Sequence, residues 1–399
     1  MKISKKYAWV MDSLSRSPFS VKARAMKHFL SSKKEYRPKN RTDADIESII
    51  KCSLCPNMCR FDCPVSEAEK NETLSPSGRS RIAYLFEMGF LVDEDVPDTL
   101  YSCCNCDACR QWCPFDFSLG DILIGVHRDL VKQNNLPKPV LELQDIIQKK
   151  HTLDGKSFNI AGKHKGDFLY FMGCTVMAEH ESIAKAMTGI MDKKGENWAV
   201  LEDEWCCGAP LYNLGFNEDF VKIAEQNIQK IKETECKTII CSCPTCAYMF
   251  KEIYPKFNLK INAKILHASE YLAELSDSLY NNSEKIEKNC VYHDPCTLVR
   301  KLGIAEQPRR VLNSIKGLTL KESYFHGKDT QCCGRGGSLG KTHPEISDKI
   351  TKKRLKELKK YADCIITACP TCKSAFSDLG CEVCDLSELI YYGCKKDER

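Results

Sequence analysis

The spacing of hydrophobic and polar positions changes along this chain near residue 167. Before that point, apolar residues recur at helical spacing in Gly78–Phe86 and Asp121–Leu130, which predicts helices. After it, short apolar runs alternate with charged amphipathic stretches such as Glu218–Glu233. Buried strands are predicted at Phe168–Met172, Lys237–Ile240 and Cys364–Thr367. This alternation of strands and helices predicts α/β units with mainly parallel strands.

The same change of pattern divides the chain into domains. We predict an α+β multidomain protein, in which a mainly α-helical N-terminal domain precedes two α/β lobes of Rossmann-like form. The predicted boundaries are a basic arm at 1–44, a helical domain at 45–135, a linker at 136–166, a first module at 167–285 and a second module at 286–399. The linker prediction depends on the Lys, Gln, Pro and Gly residues of that segment.

The second half of the chain contains an internal repeat. Ile239–Cys246 recurs as Ile365–Cys372, and the segment Cys206-Cys207-Gly208 recurs as Cys332-Cys333-Gly334, both shifted by 126 positions. A third pair of segments, Gly173–Val176 and Pro295–Leu298, is shifted by 122 positions. Repetition at nearly constant spacing indicates that one ancestral unit was duplicated to give two lobes.

Charge is concentrated at the N-terminus. Residues 1–41 hold 12 lysines and arginines against Asp12 and Glu35, a net charge of +10, whereas the whole chain carries +5. Such an arm suits an anionic membrane surface or an acidic partner, and a solvated, partly disordered arm is equally compatible with it. We do not expect nucleic acid as a partner, because the arm has little aromatic interleaving and matches no nucleic-acid-binding fold.

Cysteine is the unusual residue, with 26 in 399 positions. That number fits a disulfide framework, zinc sites or iron–sulfur clusters. Disulfide frameworks belong mostly to short secreted chains with a signal peptide, and the opening residues do not form one. No apolar run reaches the roughly 18 residues of a membrane-spanning helix. We therefore expect a cytoplasmic protein, and its basic arm is compatible with peripheral contact to the inner face of the membrane.

Two dense cysteine blocks lie in the predicted helical domain. The block Cys103-x2-Cys106-x2-Cys109-x3-Cys113 precedes a proline and has the spacing with which bacterial ferredoxins ligate [4Fe–4S] cubanes. The other block, which has one extra residue in its second gap, contains Cys52, Cys55, Cys59 and Cys63. Zinc also accepts four thiolates, but zinc ribbons place their cysteine pairs about 15–20 residues apart. We therefore predict a ferredoxin-like domain with two cubane clusters.

In ferredoxins the cysteine before the proline ligates the neighbouring cluster. This cross-pairing predicts one cluster on Cys52, Cys55, Cys59 and Cys113. It predicts the other on Cys103, Cys106, Cys109 and Cys63. One cysteine, Cys104, is in excess of the motif, and we predict that it is a structural thiol.

Each half of the repeat supplies five cysteines. The first set is Cys174, Cys206, Cys207, Cys243 and Cys246, and the second set is Cys296, Cys332, Cys333, Cys369 and Cys372. Five thiolates exceed the four that one cubane or one zinc ion needs. Adjacent cysteines also do not easily serve one face of a cubane. The spacing therefore favours a larger or irregular cluster with ligands at the ends of several strands.

With these motifs, residues 45–399 resemble the D subunits of heterodisulfide reductases. The resemblance implies that each five-cysteine module holds a noncubane [4Fe–4S] cluster and that these ten cysteines are the catalytic residues. It implies an iron–sulfur oxidoreductase that reduces a disulfide, the coenzyme M–coenzyme B heterodisulfide in that family. Many family members have a histidine after the cysteine of the His-Asp-Pro-Cys stretch, where this chain has Thr297.

A second class of function remains open. Related proteins resemble the electron-transfer iron–sulfur subunits of flavin-linked glycerol-3-phosphate, glycolate or lactate dehydrogenases. Those subunits often lose a cysteine from one module, whereas both modules are complete here, which favours catalysis. Either function needs a redox partner, a membrane cytochrome b or a soluble flavoprotein, because the chain has no G-x-G-x-x-G nucleotide motif.

Several residues beside the second module suggest further roles. Gly334, Gly336 and Gly337 are predicted to allow close backbone approach and an anion-binding nest for sulfides or a substrate thiolate. Arg335, between them, is either an anion-binding group or an ordinary surface arginine. His293 is either a proton donor or a capping or core histidine.

Overall fold

The computed structural model describes residues 12, 15–30, 36–153, 158, 160–279 and 286–393. Parts of the predicted arm, linker, first module and C-terminus therefore lie outside the described residues. The chain divides into two units, residues 1–41 and residues 42–399. In the described part of the chain, no helix is both long enough and apolar enough to span a membrane.

The first unit contains one long helix, α1 (Phe19–Leu30). The helix has no acidic residue in its first turn, and Phe19 and Met26 are exposed. Residues 1–11, 13, 14 and 31–35 of the predicted basic arm lie outside the described part of the chain.

The second unit begins with short helices, as the periodicity predicts. They are α2 (Ile46–Ser53), α3 (Pro64–Glu69), α4 (Pro76–Glu87), α5 (Asp95–Tyr101), α6 (Ala108–Gln111), α7 (Leu119–Lys132) and α8 (Lys138–Lys150). Ser75 and Ser118 begin α4 and α7, because each hydroxyl accepts a hydrogen bond from a backbone N–H in the first turn. The predicted helices at Gly78–Phe86 and Asp121–Leu130 are thus confirmed.

Helix α8 lies inside the segment 136–166 that we predicted as a linker. Its Val140, Leu143 and Ile147 are buried, so much of this segment is ordered and belongs to the hydrophobic core. The sequence did not indicate this helix, because Pro137 and Pro139 suggested a break. Proline is tolerated in the first turn of a helix, where its missing N–H has no partner to lose.

The first lobe is a parallel four-stranded sheet. Its strands are β1 (Phe168–Phe171), β2 (Trp198–Ala199), β3 (Thr238–Cys241) and β4 (Lys264–His267), in the spatial order β2-β1-β3-β4. Its helices are α9 (Cys174–Glu179), α10 (Glu181–Lys193), α11 (Ala209–Leu214), α12 (Asn217–Glu233), α13 (Pro244–Tyr248) and α14 (Ala268–Leu279). The strands are buried apolar runs, as expected for a parallel sheet that is covered on both faces.

The second lobe repeats this topology. Its strands are β5 (Lys288–His293), β6 (Leu318–Lys321), β7 (Cys364–Thr367) and β8 (Val383–Asp385), in the spatial order β6-β5-β7-β8 and again all parallel. Its helices are α15 (Glu306–Ser314), α16 (Leu339–Thr342), α17 (Pro344–Leu358), α18 (Pro370–Ser377) and α19 (Leu386–Tyr392). The identical strand order confirms the duplication and the two α/β lobes.

The carboxyl groups of Glu87 and Asp129 bind the first residues of the second unit. The Thr42 hydroxyl lies 2.6 Å from Asp129 Oδ2 and 2.7 Å from Glu87 Oε2, although it has only one proton to donate. Asp129 also accepts the backbone N–H groups of Asp43 and Ala44. The single hydroxyl proton of Thr42 can therefore serve only one of the two carboxyl groups at a time. Burial, and then the nearby charge of Asp129, raises the pKa of Glu87 to about 7.

This raised pKa predicts a pH-dependent stability. The contribution of neutral Glu87 is fully present below its ordinary pKa of 4.5 and is lost as the pH rises through about 7. Between about pH 5.5 and pH 8.5 we expect the free energy of unfolding to fall by roughly 1–2 kcal/mol, allowing for partial exposure. Glu87→Gln should flatten the profile of the anaerobic thermal-unfolding midpoint against pH. An equally steep profile in the variant would contradict the assignment.

Candidate functional site

The cysteine motifs lie at the carboxyl ends of the central strands. In the first lobe Cys174 follows β1 and Cys243 follows β3, and these two strands are neighbours. Cys296 and Cys369 have the same places after β5 and β7 in the second lobe. Because the chain leaves neighbouring central strands toward opposite sides of a parallel sheet, a crevice opens at this edge.

Residues before the paired cysteines connect these loops. Glu204, two positions before Cys206, accepts the backbone N–H groups of Met172 and Gly173 at 2.9 and 2.6 Å. In the second lobe the Thr330 hydroxyl donates to the carbonyl oxygen of Asp294 at 3.0 Å. Each contact holds the paired cysteines close to the lone cysteine of the same module. Burial raises the pKa of Glu204 to about 8.

In the first module the two adjacent cysteines have different neighbours. The thiol of Cys206 interacts with those of Cys174 and Cys207, whereas the thiol of Cys207 interacts with those of Cys206 and Cys246. Hydrogen bonds from Cys206 and then Cys246 lower the pKa of Cys207. All five predicted cysteines of this module are buried free thiols. A buried thiol group with one thiolate favoured near neutral pH is suited to metal binding.

The second module repeats this arrangement. Cys333 Sγ lies 3.4 Å from Cys372 Sγ, and Cys332 is hydrogen-bonded to Cys296. Hydrogen bonds from Cys332 and then Cys372 lower the pKa of Cys333 well below its ordinary value. A ring nitrogen of His293 and the sulfur atoms of Cys333 and Cys372 all lie within 4.8 Å of one another.

The structure places His293 in the interior rather than at a helix cap. The residue is fully buried, and its ring packs edge-to-face on Phe376 with the ring centroids 4.9 Å apart. Nδ1 accepts a hydrogen bond from Arg354 Nε at 3.3 Å, so the ring proton is on Nε2. Burial lowers the pKa of His293, and the contact with Cys333 opposes this.

The two modules face one cavity of about 410 Å³. Nine of the ten module cysteines line it, all except Cys332, which lines a smaller cavity beside Cys63. An interaction with Cys369 of the second module, after that with Cys246 of its own, lowers the pKa of Cys243 in the first module. Arg335 is on the cavity wall, paired with Asp378, and its side chain is 23% exposed.

In the helical domain the structure brings cysteines of the two blocks close together. Cys113 interacts electrostatically with Cys52 and Cys59, across more than 50 residues of chain. Cys63, from the other block, lines a small cavity with Cys103, Cys106 and Cys109. We call Cys52, Cys55, Cys59 and Cys113 the outer site, because all four are partly exposed. We call Cys63, Cys103, Cys106 and Cys109 the inner site.

A buried arginine that the sequence did not single out lies against the inner site. Arg79, on α4, is 1% exposed and donates a hydrogen bond from Nη2 to Cys63 Sγ at 3.1 Å. A second hydrogen bond, to the carbonyl oxygen of Ser102, fixes its orientation. Burial lowers the pKa of Arg79, but the charges of Cys63 and Cys103 outweigh this and raise it. A fixed cation here favours thiolates at the inner site.

The inner site lies directly against the second module. Cys332 interacts with Cys104 and Cys106 as well as with its own module, and Cys104 Sγ lies 3.8 Å from the carbonyl oxygen of Gly334. A side chain at Gly336 would meet the carbonyl oxygen of Cys104 at 2.3 Å, and one at Gly337 would meet that of Cys103 at 2.3 Å. The predicted close approach at these glycines is therefore to the backbone of the ferredoxin motif. The predicted anion nest stays a prediction.

The donor sets fit iron–sulfur clusters. The eighteen cysteines of the four motifs are all free thiols; nine of the ten module cysteines line one cavity, and those of the helical domain lie at the inner and outer sites. A disulfide framework would instead pair them. Thiolates are the ligands of iron–sulfur clusters, and the Arg79 cation and the lowered pKa of Cys106, Cys207 and Cys333 favour that form, whereas burial raises the pKa of Cys103 and Cys109.

Comparisons with known proteins agree with this chemistry. A family model described as a cysteine-rich domain (CCG) matches residues 168–251 and 290–377, and a 4Fe-4S dicluster domain model matches residues 48–117. The B subunit of the fumarate reductase (CoM/CoB) from Methanothermobacter marburgensis is 28% identical over 385 residues, covering 92% of this chain and 75% of that protein. These matches and the four thiol groups define an iron–sulfur oxidoreductase.

Two further relatives help to define the family. The D subunit of the dihydromethanophenazine:CoB–CoM heterodisulfide reductase from Methanosarcina barkeri is 29% identical over 302 residues, covering 71% of this chain and 74% of that protein. Lactate utilization protein A 2 of Bacillus cereus is 30% identical over 199 residues, covering 47% of this chain and 79% of that protein. The chain belongs to the family of CCG-domain iron–sulfur oxidoreductase subunits that includes the D subunits of heterodisulfide reductases.

Proposed function

We propose that this protein reduces a disulfide, of the coenzyme M–coenzyme B heterodisulfide kind, in the cavity between the two modules. One observation carries the proposal: cysteines of both modules line the same cavity of about 410 Å³. Cleaving a disulfide takes two electrons and two protons and gives two thiols. Two thiol groups that face one cavity provide a separate site for each sulfur atom of the substrate. The relatives named for CoM and CoB support this substrate class.

Four clusters would serve this reaction. The outer and inner sites would each hold a cubane [4Fe–4S] cluster, and each five-cysteine module would hold a noncubane [4Fe–4S] cluster. When bound, such clusters supply one-electron transfer and iron positions that can bind sulfur. The domain boundaries predicted from the sequence are retained with this assignment, with the ferredoxin-like domain at 45–135 and the modules at 167–285 and 286–399.

The chain's own residues prepare the cavity for the substrate. The thiols of both modules are buried, so the sulfur atoms of a bound disulfide would be shielded from water. A ring nitrogen of His293 lies beside the sulfur atoms of Cys333 and Cys372, and Arg354 donates a hydrogen bond to His293 Nδ1. Arg335 places a guanidinium on the cavity wall, where it could contact an acidic group of the substrate.

The experiment is anaerobic, dye-driven reduction of the heterodisulfide. Iron and sulfide are counted in the purified protein, which is then supplied with a reduced viologen and the disulfide, and thiol release is measured. We expect iron and sulfide for four clusters and steady turnover. A full complement of iron and sulfide without turnover on any disulfide offered would overturn the proposed substrate.

The alternative is an electron-transfer protein for a flavin-linked glycerol-3-phosphate, glycolate or lactate dehydrogenase. The lactate utilization protein supports it, but its match covers less than half of this chain. The complete cysteine sets in both modules favour the disulfide reaction. In either case the chain would receive or pass on electrons through a partner, a membrane cytochrome b or a soluble flavoprotein.

We also propose that the basic arm binds an anionic membrane surface. Helix α1 exposes Phe19 and Met26, and the first 41 residues carry a net charge of +10. Exposed apolar side chains beside lysines and arginines suit the boundary of an anionic bilayer. The full chain should sediment with anionic vesicles and not with neutral ones, and Lys22→Glu with Arg24→Glu should abolish this. Equal sedimentation with both kinds of vesicle would contradict the proposal.

A further inference from the structure

A buried lysine lies where three parts of the second unit meet. The side chain of Lys301 is 5% exposed, and Nζ donates to Asn105 Oδ1 of the ferredoxin-like domain at 2.7 Å. The ammonium lies 3.8 Å from Asp107 and 3.9 Å from Asp121, in the same domain. It also lies 5.2 Å from the ring centroid of Tyr248 in the first lobe. Burying a charged lysine costs free energy, so a buried lysine is expected to have a structural or functional role.

The neighbouring residue strengthens the same interface. Arg300 donates from Nη1 to the carbonyl oxygen of Cys106 at 2.7 Å, which holds the inner site against the second lobe. Its Nε donates to the carbonyl oxygen of Lys328 at 2.8 Å, and Nη2 donates to that of Thr330. All three guanidinium nitrogens of Arg300 thus donate to backbone carbonyl oxygens. Lys301 instead directs its charge at the side chains of Asn105, Asp107 and Asp121 in the ferredoxin-like domain.

The charge of Lys301 acts on both sites. Although burial lowers the pKa of Lys301, the charges of Asp107 and Asp121, followed by those of Cys296 and Cys103, raise it above the ordinary value. The lysine is therefore protonated. Lys301 stands five positions after Cys296 of the second module, and its partner Asn105 lies between Cys103 and Cys106 of the inner site. One fixed cation therefore lies next to both motifs.

The first lobe has the opposite charge at the corresponding place. Five positions after the lone cysteine of each module stand Glu179 in the first lobe and Lys301 in the second. The Glu179 carboxylate accepts a hydrogen bond from Ser374 and lines the shared cavity. The two modules are similar because they arose by duplication, but at this position the first has a negative side chain and the second a positive one.

We propose that Lys301 is a positioning residue for electron transfer, whose buried charge stabilises an added electron at the inner site and at the second module. The physical reason is that a fixed cation lowers the energy of added negative charge in a site that is shielded from water. With the clusters bound, one electron would move from the inner site to the second module, and no bond would be made or broken in that step. This inference rests on the four-cluster part of the proposed function.

The test is an anaerobic redox titration of the full chain, followed by electron paramagnetic resonance, after iron and sulfide have been counted. In Lys301→Met we expect two of the four midpoint potentials to fall and the other two to stay unchanged. Lys301→Arg should keep the wild-type potentials, because it keeps the charge. Asp107→Asn should shift the same two potentials upward, because it removes the countercharge nearest to the ammonium.

A matched control comes from the same domain pair. Lys349 of the second lobe pairs with Glu69 of the ferredoxin-like domain at 2.9 Å, but its side chain is 53% exposed. Lys349→Met removes an interdomain ion pair in the presence of solvent, so it should change none of the four potentials.

The outcomes separate this inference from the proposed function. Wild-type protein with fewer than four clusters would refute the cluster assignment itself. Four clusters with unchanged potentials in Lys301→Met would overturn the role of Lys301. If Lys301→Met does not retain its clusters, the potentials of Asp107→Asn test the proposal instead. Unchanged potentials in Asp107→Asn would also overturn the role of Lys301.

Discussion

Replacing Cys333 by serine is expected to abolish disulfide turnover. Cys333 lies 3.4 Å from Cys372, lines the shared cavity, and has a pKa held well below its ordinary value by hydrogen bonds from Cys332 and Cys372. Serine has a similar size but no thiolate. The loss should exceed the roughly 10–100-fold that removal of a supporting contact costs at a metal site. Viologen-driven thiol release, measured beside the iron content, gives the result.

Cys236→Ser is the matched control, because Cys236 is a buried thiol outside the four groups. It should keep both wild-type turnover and the wild-type iron content. Turnover of Cys333→Ser at the wild-type rate would refute chemistry at the second module. If that variant loses more iron than one cluster holds, Cys369→Ser in the same module repeats the test.

Replacing Gly337 by alanine is expected to separate the ferredoxin-like domain from the second module. Gly337 has φ +62°, and an added Cβ would lie 2.3 Å from the carbonyl oxygen of Cys103. The substitution therefore forces the backbone of the ferredoxin motif away from the second module. The positive φ of an alanine at this position adds a strain of about 1–3 kcal/mol. A displacement of about 1 Å at a reacting site can cost on the order of 100-fold in rate. We expect electrons stored in the ferredoxin-like domain to reach the substrate far more slowly.

Stopped-flow mixing of fully reduced protein with the disulfide measures this effect. The first electrons, already in the modules, should leave at the wild-type rate, and the remaining electrons should leave slowly. Gly303→Ala is the control, because Gly303 has φ +70° but no atom within 4 Å of the added Cβ. It imposes the same backbone strain without the clash. Equal slow phases in Gly337→Ala and in wild type would show that the close approach is unimportant.

Much of the fold follows from local patterns. The apolar runs at Phe168–Met172 and Cys364–Thr367 predicted strands, and both are confirmed. Helix α12 begins one residue before the predicted Glu218 and ends at the predicted Glu233. These elements depend on short-range spacing, which the sequence displays directly. Helix α8 was not predicted, because its prolines suggested a break and its buried face becomes visible only when it packs against the core.

Some residues of the candidate site could likewise be predicted from the sequence, and others could not. The cysteine spacings singled out all eighteen thiols, because ligands of one cluster must lie within a few residues or at the ends of neighbouring strands. Arg79 and Lys301 were missed, since nothing in their local sequence distinguishes a buried cation from an exposed one. A comparison of the two halves of the repeat could have indicated Lys301, because Glu179 stands at the corresponding position.

The sequence by itself determined the iron–sulfur class, the duplication and the four cysteine groups, because each depends on residues that are close in the chain or repeated at constant spacing. Only the tertiary structure decided how those groups meet. It brought both modules to one cavity and placed Cys332 against Cys104 and Cys106, more than 220 residues away in the chain. Contacts over such separations depend on how whole domains pack, and domain packing is set by surfaces that assemble only after each part has folded.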